Sequence, residues 1–320
     1  MKGKICAAVA ALCGLIGAVY FNRNTDLPLV AIANYGPHAS LEASLNGVKA
    51  ELAEHGFLEG KTLRYEIIDV GFDPALIAQM IAKLAASQPK VMIVKSTPVA
   101  QFAKGKIREI PLVYCDITDP VATGLLKDRD HPCGNMTGSS DQGDLESFLS
   151  FVKTILPQAK VVGLLYATSE SNDAALVAMM REAAKKAGLS VVALPIDQSR
   201  DIPMRMQEFR GKVDCLYVGT SGPTQPALPV IASEAQKMGI PVFNAEEQAV
   251  RDGLALASFG VDYASVGRNA GKLVAKLLQG ASVKELPPIF PRTEEHRCCV
   301  NKRLAEQFGL QIPQNAIVVE

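Results

Sequence analysis

Short, unbroken apolar runs alternate along this chain with longer stretches in which apolar residues return every three or four positions. The runs at 28–33, 63–69, 91–94, 112–115, 161–166, 191–196, 215–218 and 242–244 show little polar/apolar alternation. That pattern predicts strands covered on both faces, as in a parallel sheet. Between them, 41–55, 75–86, 99–108, 145–155, 173–187 and 228–238 carry helical periodicity. Gly56, Gly188 and Gly239 follow three of these helices, where a left-handed closing residue costs glycine no steric penalty. Strand and helix alternate in the manner of an α/β protein.

The middle of the chain carries one pattern twice. Ile110-Pro111-Leu112-Val113 leads to Val121-Ala122-Thr123-Gly124-Leu125, and Ile240-Pro241-Val242-Phe243 leads to Val250-Arg251-Asp252-Gly253-Leu254. Val91-Met92-Ile93-Val94 runs into Ser96-Thr97-Pro98, as Cys215-Leu216-Tyr217-Val218 runs into Ser221-Gly222-Pro223. The helix closed by Gly56 precedes 63–69, and the helix closed by Gly188 precedes 191–197. Matched elements in one order, about 130 residues apart, predict two similar α/β units. Two such units facing each other enclose a cleft, the usual place for a small ligand. Outside the tandem, 135–140 joins the halves, 255–261 precedes a helix at 263–278, and an extended stretch at 287–300 precedes a short helix at 302–308. Three connections between two lobes form a hinge.

Composition agrees with two buried cores: 320 residues, 48% of them hydrophobic. Lys+Arg and Asp+Glu both total 33, and neither a basic stripe nor a helix-turn-helix signature appears, which argues against a nucleic-acid partner. At the N-terminus, Lys2 and Lys4 precede an apolar run at 5–21 that turns polar at Asn22-Arg23-Asn24, the layout of an export signal. An uncleaved anchor stays open, because 17 residues sit at the lower limit for a span. Cys13 follows Ala10-Ala11-Leu12, which is no lipoprotein box, and Cys6 has none either. Beyond this segment, Cys115 and Cys215 fall in strand runs as small hydrophobes, while Cys133 and the vicinal Cys298-Cys299 fall outside them. A Cys115–Cys133 disulfide stays open, and no Cys/His spacing supports a metal.

Several phrases then carry a resemblance: Glu59-Gly60-Lys61, Thr97-Pro98-Val99-Ala100-Gln101, Thr118-Asp119-Pro120-Val121, Gly134-Asn135-Met136-Thr137-Gly138, Ser140-Asp141, Gly260-Val261-Asp262-Tyr263 with Gly267-Arg268, and the tail at 305–313. In this order they resemble the substrate-binding proteins of ABC transporters, in the family that includes tryptophan- and tyrosine-type binding proteins. The resemblance covers nearly everything after the N-terminal segment. It implies a periplasmic-binding protein type I fold, that is, α/β with two Rossmann-like lobes whose parallel sheets are joined by three crossovers. After a signal or anchor at 1–27, it implies lobe 1 at 28–138 plus 262–290 and lobe 2 at 139–261 plus 291–320. It further implies a periplasmic or extracytoplasmic monomer, without cofactor or metal, that closes on a small molecule and presents it to a membrane permease.

The chemistry of the loops points to the same cleft. Ligands of doubly wound sheets sit beyond the carboxyl ends of the strands, where helix starts offer unpaired N–H groups to a carboxylate. Ser96-Thr97-Pro98 has this design, and Thr118-Asp119-Pro120 repeats it, although Asp119 before a proline is equally a helix cap. An amino acid's ammonium needs an acidic acceptor, for which Asp141 beside Ser140 is first choice and Glu246 the alternative, in the loop after Asn244. Tyr35 is placed to stack on a side chain, with His38 beside it. Across the cleft, Tyr166, Ser169 and Asn172 end the first strand of the second unit, and Thr220 and Ser221 follow Val218.

At this last loop the chain departs from its relatives. Thr220-Ser221-Gly222 stands where they carry Thr-Asp-Asn, and Pro37-His38-Ala39-Ser40-Leu41-Glu42 also differs from the usual His-Pro-Ala-Leu-Asp. Loss of an ammonium acceptor leaves both an aromatic or other amino acid and a ligand that is no amino acid open. Catalysis finds no motif: Gly-x-Ser-x-Gly, His-Glu-x-x-His, Walker and Gly-x-Gly-x-x-Gly sequences are missing, and only four histidines occur. A membrane-anchored sensing subunit, or an α/β enzyme using the same cleft, are the competing readings.

Overall fold

The computed structural model of the chain describes residues 27–320, so the expected export segment, with Cys6 and Cys13, lies outside the described residues. The apolar runs become two sheets. In the first, β1 (Leu29–Asn34), β2 (Arg64–Asp69), β3 (Val91–Lys95), β4 (Leu112–Ile117) and β5 (Met136–Ser140) lie in the order β2-β1-β3-β4-β5, all parallel. The intervening helices are α1 (Ala39–Glu54), α2 (Ile77–Ala86) and α3 (Thr97–Lys106). Every residue of β3, β4 and β5 is buried, as unbroken apolar runs require.

The second sheet holds β6 (Val161–Ala167), β7 (Ser190–Ile196), β8 (Cys215–Val218), β9 (Val242–Asn244), β10 (Ala257–Val261), β11 (His296–Asn301) and β12 (Ile317–Val319), in the order β12-β11-β10-β9-β8-β6-β7. Its strands β7-β6-β8-β9-β10 repeat the order of the first sheet, so the doubled sequence pattern is a doubled topology. Beside it run α4 (Leu145–Ile155), α5 (Ser171–Ala187), α6 (Ile202–Gln207), α7 (Leu228–Met238), α8 (Glu247–Arg251) and α10 (Lys302–Phe308), whereas α9 (Tyr263–Leu278) returns to pack on α1 and β4 of the first sheet. Gly188 and Gly239 close α5 and α7 at φ 67° and 69°, the left-handed geometry the sequence predicts.

Three differences have local causes. β11 and β12 run against the other strands, because β11 pairs antiparallel with β10. The stretch at 287–300 becomes a strand only from His296; Pro287, Pro288 and Pro291 have no N–H to give a ladder. The short α6 and α8, and β12 with Ile317 and Val318 exposed, offer too little periodic burial to announce themselves.

Each sheet has an apolar cluster on each face. Ala33, Met80, Val94 and Tyr114 mark one face of the first sheet, and Ile32, Leu52, Val113 and Val274 the other. Phe148, Leu164 and Tyr217 oppose Leu165, Phe209 and Ile231 across the second. The chain passes between the sheets after β5, between β10 and α9, and after Ile289, which pairs with Ser139 before β11 begins. The five described cysteines are free, which closes the question of a Cys115–Cys133 bridge. Among the described residues, no helix is long and apolar enough to cross a membrane.

Candidate functional site

A cavity of about 490 Å³, mouth included, lies where the carboxyl ends of both sets of strands face each other. Its first wall comprises Tyr35 and His38 after β1, Ser40 and Leu41 on α1, Phe72 after β2, Ser96, Thr97 and Pro98 after β3, and Asp116 and Thr118 at the end of β4. Glu170 and Asn172 after β6, Thr220, Ser221, Gly222 and Gln225 after β8, and Glu246 after β9 form the second wall. Asp141, just past β5, and Tyr263, which opens α9, sit where the chain crosses between the sheets.

Three non-glycine residues on the first wall have left-handed φ, Phe72 at 63°, Ser96 at 71° and Asp116 at 61°. Such a conformation costs on the order of 1–3 kcal/mol and persists where surrounding bonds over-determine it. For Asp116 those bonds are visible: its Oδ2 accepts from Ser44 Oγ at 2.8 Å and lies 3.2 Å from Lys95 Nζ. Lys95 is fully buried and gives its three donors to Asp116, Ser44 Oγ and the Leu41 carbonyl. Ser96 makes no side-chain cap at the start of α3, so the first N–H groups of that helix stay available to an anion.

The acids at the crossing are less well served. Asp141 accepts from the Tyr263 hydroxyl at 3.0 Å through Oδ2, while its buried Oδ1 has no partner among the described residues. Burial, with Asp116 nearby, pushes its carboxyl up to about 7. Glu246 is held by a bond from its own N–H to Asn244 Oδ1, and its Oε1 is likewise buried and unpartnered. Burial and the charges of Asp141 and Asp116 raise it to about 8, despite a Ser40 hydrogen bond. Its Oε2 lies 3.6 Å from His38 Nδ1, but that nitrogen accepts from the Ser40 N–H as the cap of α1, and burial lowers the imidazole's pKa. His38 is therefore neutral and offers Glu246 no counter-charge.

On the second wall, Glu170 accepts from the Gly222 N–H at 3.2 Å, Asn172 Nδ2 at 3.3 Å and, from the opposite lobe, the Tyr35 hydroxyl at 3.4 Å. All three donors are neutral, and burial raises the Glu170 pKa. Tyr35 also stands edge-on to Phe72, ring centroids 5.5 Å apart, so the pair forms an aromatic corner. A Cβ at Gly222 would lie 2.8 Å from Glu170 Oε1 and 3.0 Å from Tyr35 Cε1. The missing side chain at 222 is thus the space that Glu170 and Tyr35 occupy.

Of the residues expected from sequence, Tyr35, His38, Ser96, Thr97, Thr118, Asp141, Asn172, Thr220, Ser221 and Glu246 line the cavity. Five do not. Asp119 accepts from the N–H groups of Val121 and Ala122 and so caps its own turn. Ser140 turns its hydroxyl to the Ile117 carbonyl, and Tyr166 packs against the core beside α4 and α5. Ser169 is exposed, and the fully buried Asn244 acts by holding the backbone of Glu246. Sequence reasoning missed Asp116, Glu170, Phe72, Gln225 and Tyr263. Acids at the ends of β4 and β6 were the available signal, since a carboxylate closing a fully apolar run has no reason to be there for packing.

Comparison with known proteins follows the same lines. The model of a family described as ABC transporter substrate binding protein matches residues 29–320. A tyrosine-binding protein of Clostridioides difficile is 32% identical over 293 residues, covering 91% of this chain and 84% of the relative. The structure of an ABC domain in complex with L-Trp from Streptococcus pneumoniae superposes with TM-score 0.86 at 26% identity, covering 92% of this chain and all of the other. The ligand-free, open structure of a Clostridium difficile substrate binding protein with adhesive properties gives TM-score 0.72 at 29% identity, covering 92% and 99%. The greater likeness to the Trp-bound shape agrees with the Tyr35–Glu170 bond between the lobes.

Proposed function

The chain belongs to the ABC transporter substrate-binding protein family, and on that premise we propose that it is an exported protein that closes by a hinge on a small amine-bearing molecule, of the amino-acid type, and delivers it to a membrane permease. The family has the periplasmic-binding protein type I fold and binds its substrates rather than transforming them. The observation that carries the amine is the pair of buried, unpartnered carboxylate oxygens, Asp141 Oδ1 and Glu246 Oε1, at the wall of the cavity. A buried carboxylate without a donor is costly unless a ligand supplies one, and an ammonium supplies both donors and charge. The start of α3 at Ser96 and Thr97, with Thr220 and Ser221 opposite, is suited to an α-carboxylate. In a division into lobe 1 (28–138 plus 262–290) and lobe 2 (139–261 plus 291–320), Ser96 and Thr97 belong to the first body and Asp141, Thr220, Ser221 and Glu246 to the second. Closure then makes the contacts simultaneous.

A thermal-shift screen of the purified chain against amino acids and simple amines tests this reading. A ligand at about a hundred times its dissociation constant stabilises by about 2.7 kcal/mol. Chemical turnover of any compound that shifts the melting temperature, or failure of every amine to shift it, would reject the proposal.

A further inference from the structure

The cavity's charge is one-sided. Among its lining residues are Asp116, Asp141, Glu170 and Glu246, and no Lys or Arg. Among the described residues the one buried cation, Lys95, is committed to Asp116. The acids fall into two groups. Asp141 and Glu246 act on each other and on Asp116. Glu170 instead shares its surroundings with the buried Asp173, whose carboxylate accepts from the Ala167 N–H at the start of the same loop. Each group lacks a cation of its own among the described residues, and the first ends in two oxygens, 9% and 5% exposed by residue, that none of the described residues bonds.

A zwitterion of zero net charge answers only one of these groups and brings an anion into an acidic chamber. That combination leaves Glu170 with three neutral donors and no cation, against the aromatic corner of Tyr35 and Phe72. Burial of a charge without a partner is the expensive case. Resting on the substrate-binding reading above, we propose that the ligand carries two cationic nitrogens, one received by Asp141 and Glu246 and the other by Glu170, which follows a different strand of the second sheet. Basic amino acids and aliphatic diamines share this chemistry. The aromatic corner suits the second cation, because a ring face attracts positive charge.

Isothermal titration of the full chain at neutral pH separates the outcomes. The probes are L-lysine, L-arginine and 1,4-diaminobutane, against L-norleucine, which is lysine without its terminal ammonium, and L-tyrosine. Lysine, arginine or the diamine is expected to bind about tenfold or more tightly than norleucine and tyrosine, the scale of one charge-assisted hydrogen bond. A diamine that binds as well as lysine assigns the site to amines at large, and lysine or arginine binding alone assigns it to basic amino acids. Both results support two cationic nitrogens. Glu170→Gln should then cut the lysine-to-norleucine preference by at least about fivefold. Norleucine or tyrosine binding as tightly as the dications, or an unchanged preference in E170Q, overturns the inference while leaving the amine-binding reading intact. Binding by none of the probes overturns both.

Discussion

Lys95 and Asp116, at the carboxyl ends of neighbouring strands β3 and β4, meet at 3.2 Å with Lys95 fully buried and Asp116 7% exposed. Asp116 lines the cavity with Lys95 behind it, and the pair fixes the left-handed backbone of Asp116. Removing one partner leaves the other as a bare buried charge, which costs about 3–5 kcal/mol. Lys95→Met is expected to lower the unfolding free energy by about 3 kcal/mol in a urea titration, and adding Asp116→Asn should restore part of it. A loss below about 1 kcal/mol in K95M would show that the pair is not a structural unit.

Asp141 should behave in the opposite sense. Its carboxylate is desolvated and only half hydrogen-bonded, so Asp141→Asn removes a strained charge while keeping the shape. At pH 8 the ligand-free variant is expected to melt no lower than the parent, and amine affinity should fall by about ten- to a hundredfold, the value of a charged hydrogen bond. A large drop in the melting temperature would make Asp141 a structural anchor for Tyr263 instead.

The pH dependence follows from the raised acids. A carboxyl that binds its proton more tightly in the folded state contributes stability at low pH and loses it as pH rises through its folded value. With Asp141 at about 7 and Glu246 at about 8, the loss runs from the ordinary carboxylate range up to those values, so above about pH 6.5 the ligand-free protein is expected to lose the last part of it and to level off by about pH 8.5. His38, depressed below its ordinary 6.5, has already given up its proton there. The phenols of Tyr217 and Tyr263, raised by burial, stay neutral. Amine affinity should rise over the same interval, as protons leave the groups that receive the ligand. Calorimetric melting from pH 6.5 to 8.5 checks both, and Glu246→Gln should flatten the slope.

Closure can be tested without touching an acid. Gly222→Ala places a methyl where Glu170 and Tyr35 meet, a contact that exists only when the lobes are together. The variant is expected to bind amines about three- to tenfold more weakly and to scatter X-rays with a larger radius of gyration in the presence of ligand. Ordinary affinity in G222A would mean that the Tyr35–Glu170 contact plays no part in closing.

The fold was largely legible because its signal is periodic and local. Cys215–Val218, Val242–Asn244, Leu145–Ile155 and Tyr263–Leu278 begin and end where the apolar pattern predicts. Half of the site followed from one rule, that strand ends face ligands, which located Ser96, Thr97, Thr220 and Ser221. That rule says nothing about which side chain of a loop turns inward. In Thr168-Ser169-Glu170 the Ser169 hydroxyl reads as the ligand group, yet Ser169 is exposed and Glu170 enters the cavity. Gly222 explains this in three dimensions: with no side chain at 222, the acid of another loop comes in against its backbone. No one-dimensional pattern links positions 170 and 222.

The contact of α1 with α9 is so close that a Cβ on Gly47 would lie 2.2 Å from the Ala264 carbonyl oxygen, and one on Gly267 1.9 Å from that of Ser44. Val48 and Leu52 of α1 are covered by Val266, Ala270 and Leu273 of α9. The first sheet is complete in sequence by Ser140, but one of its faces has only α1 against it until α9 is complete at Leu278. Joining those helices closes a loop of about two hundred residues, an entropic cost that local contacts cannot offset early. The lobe begun first therefore cannot be completed until β6 to β10 of the second sheet have been made, and a chain still being synthesised lacks part of its N-terminal lobe's core until most of its length exists.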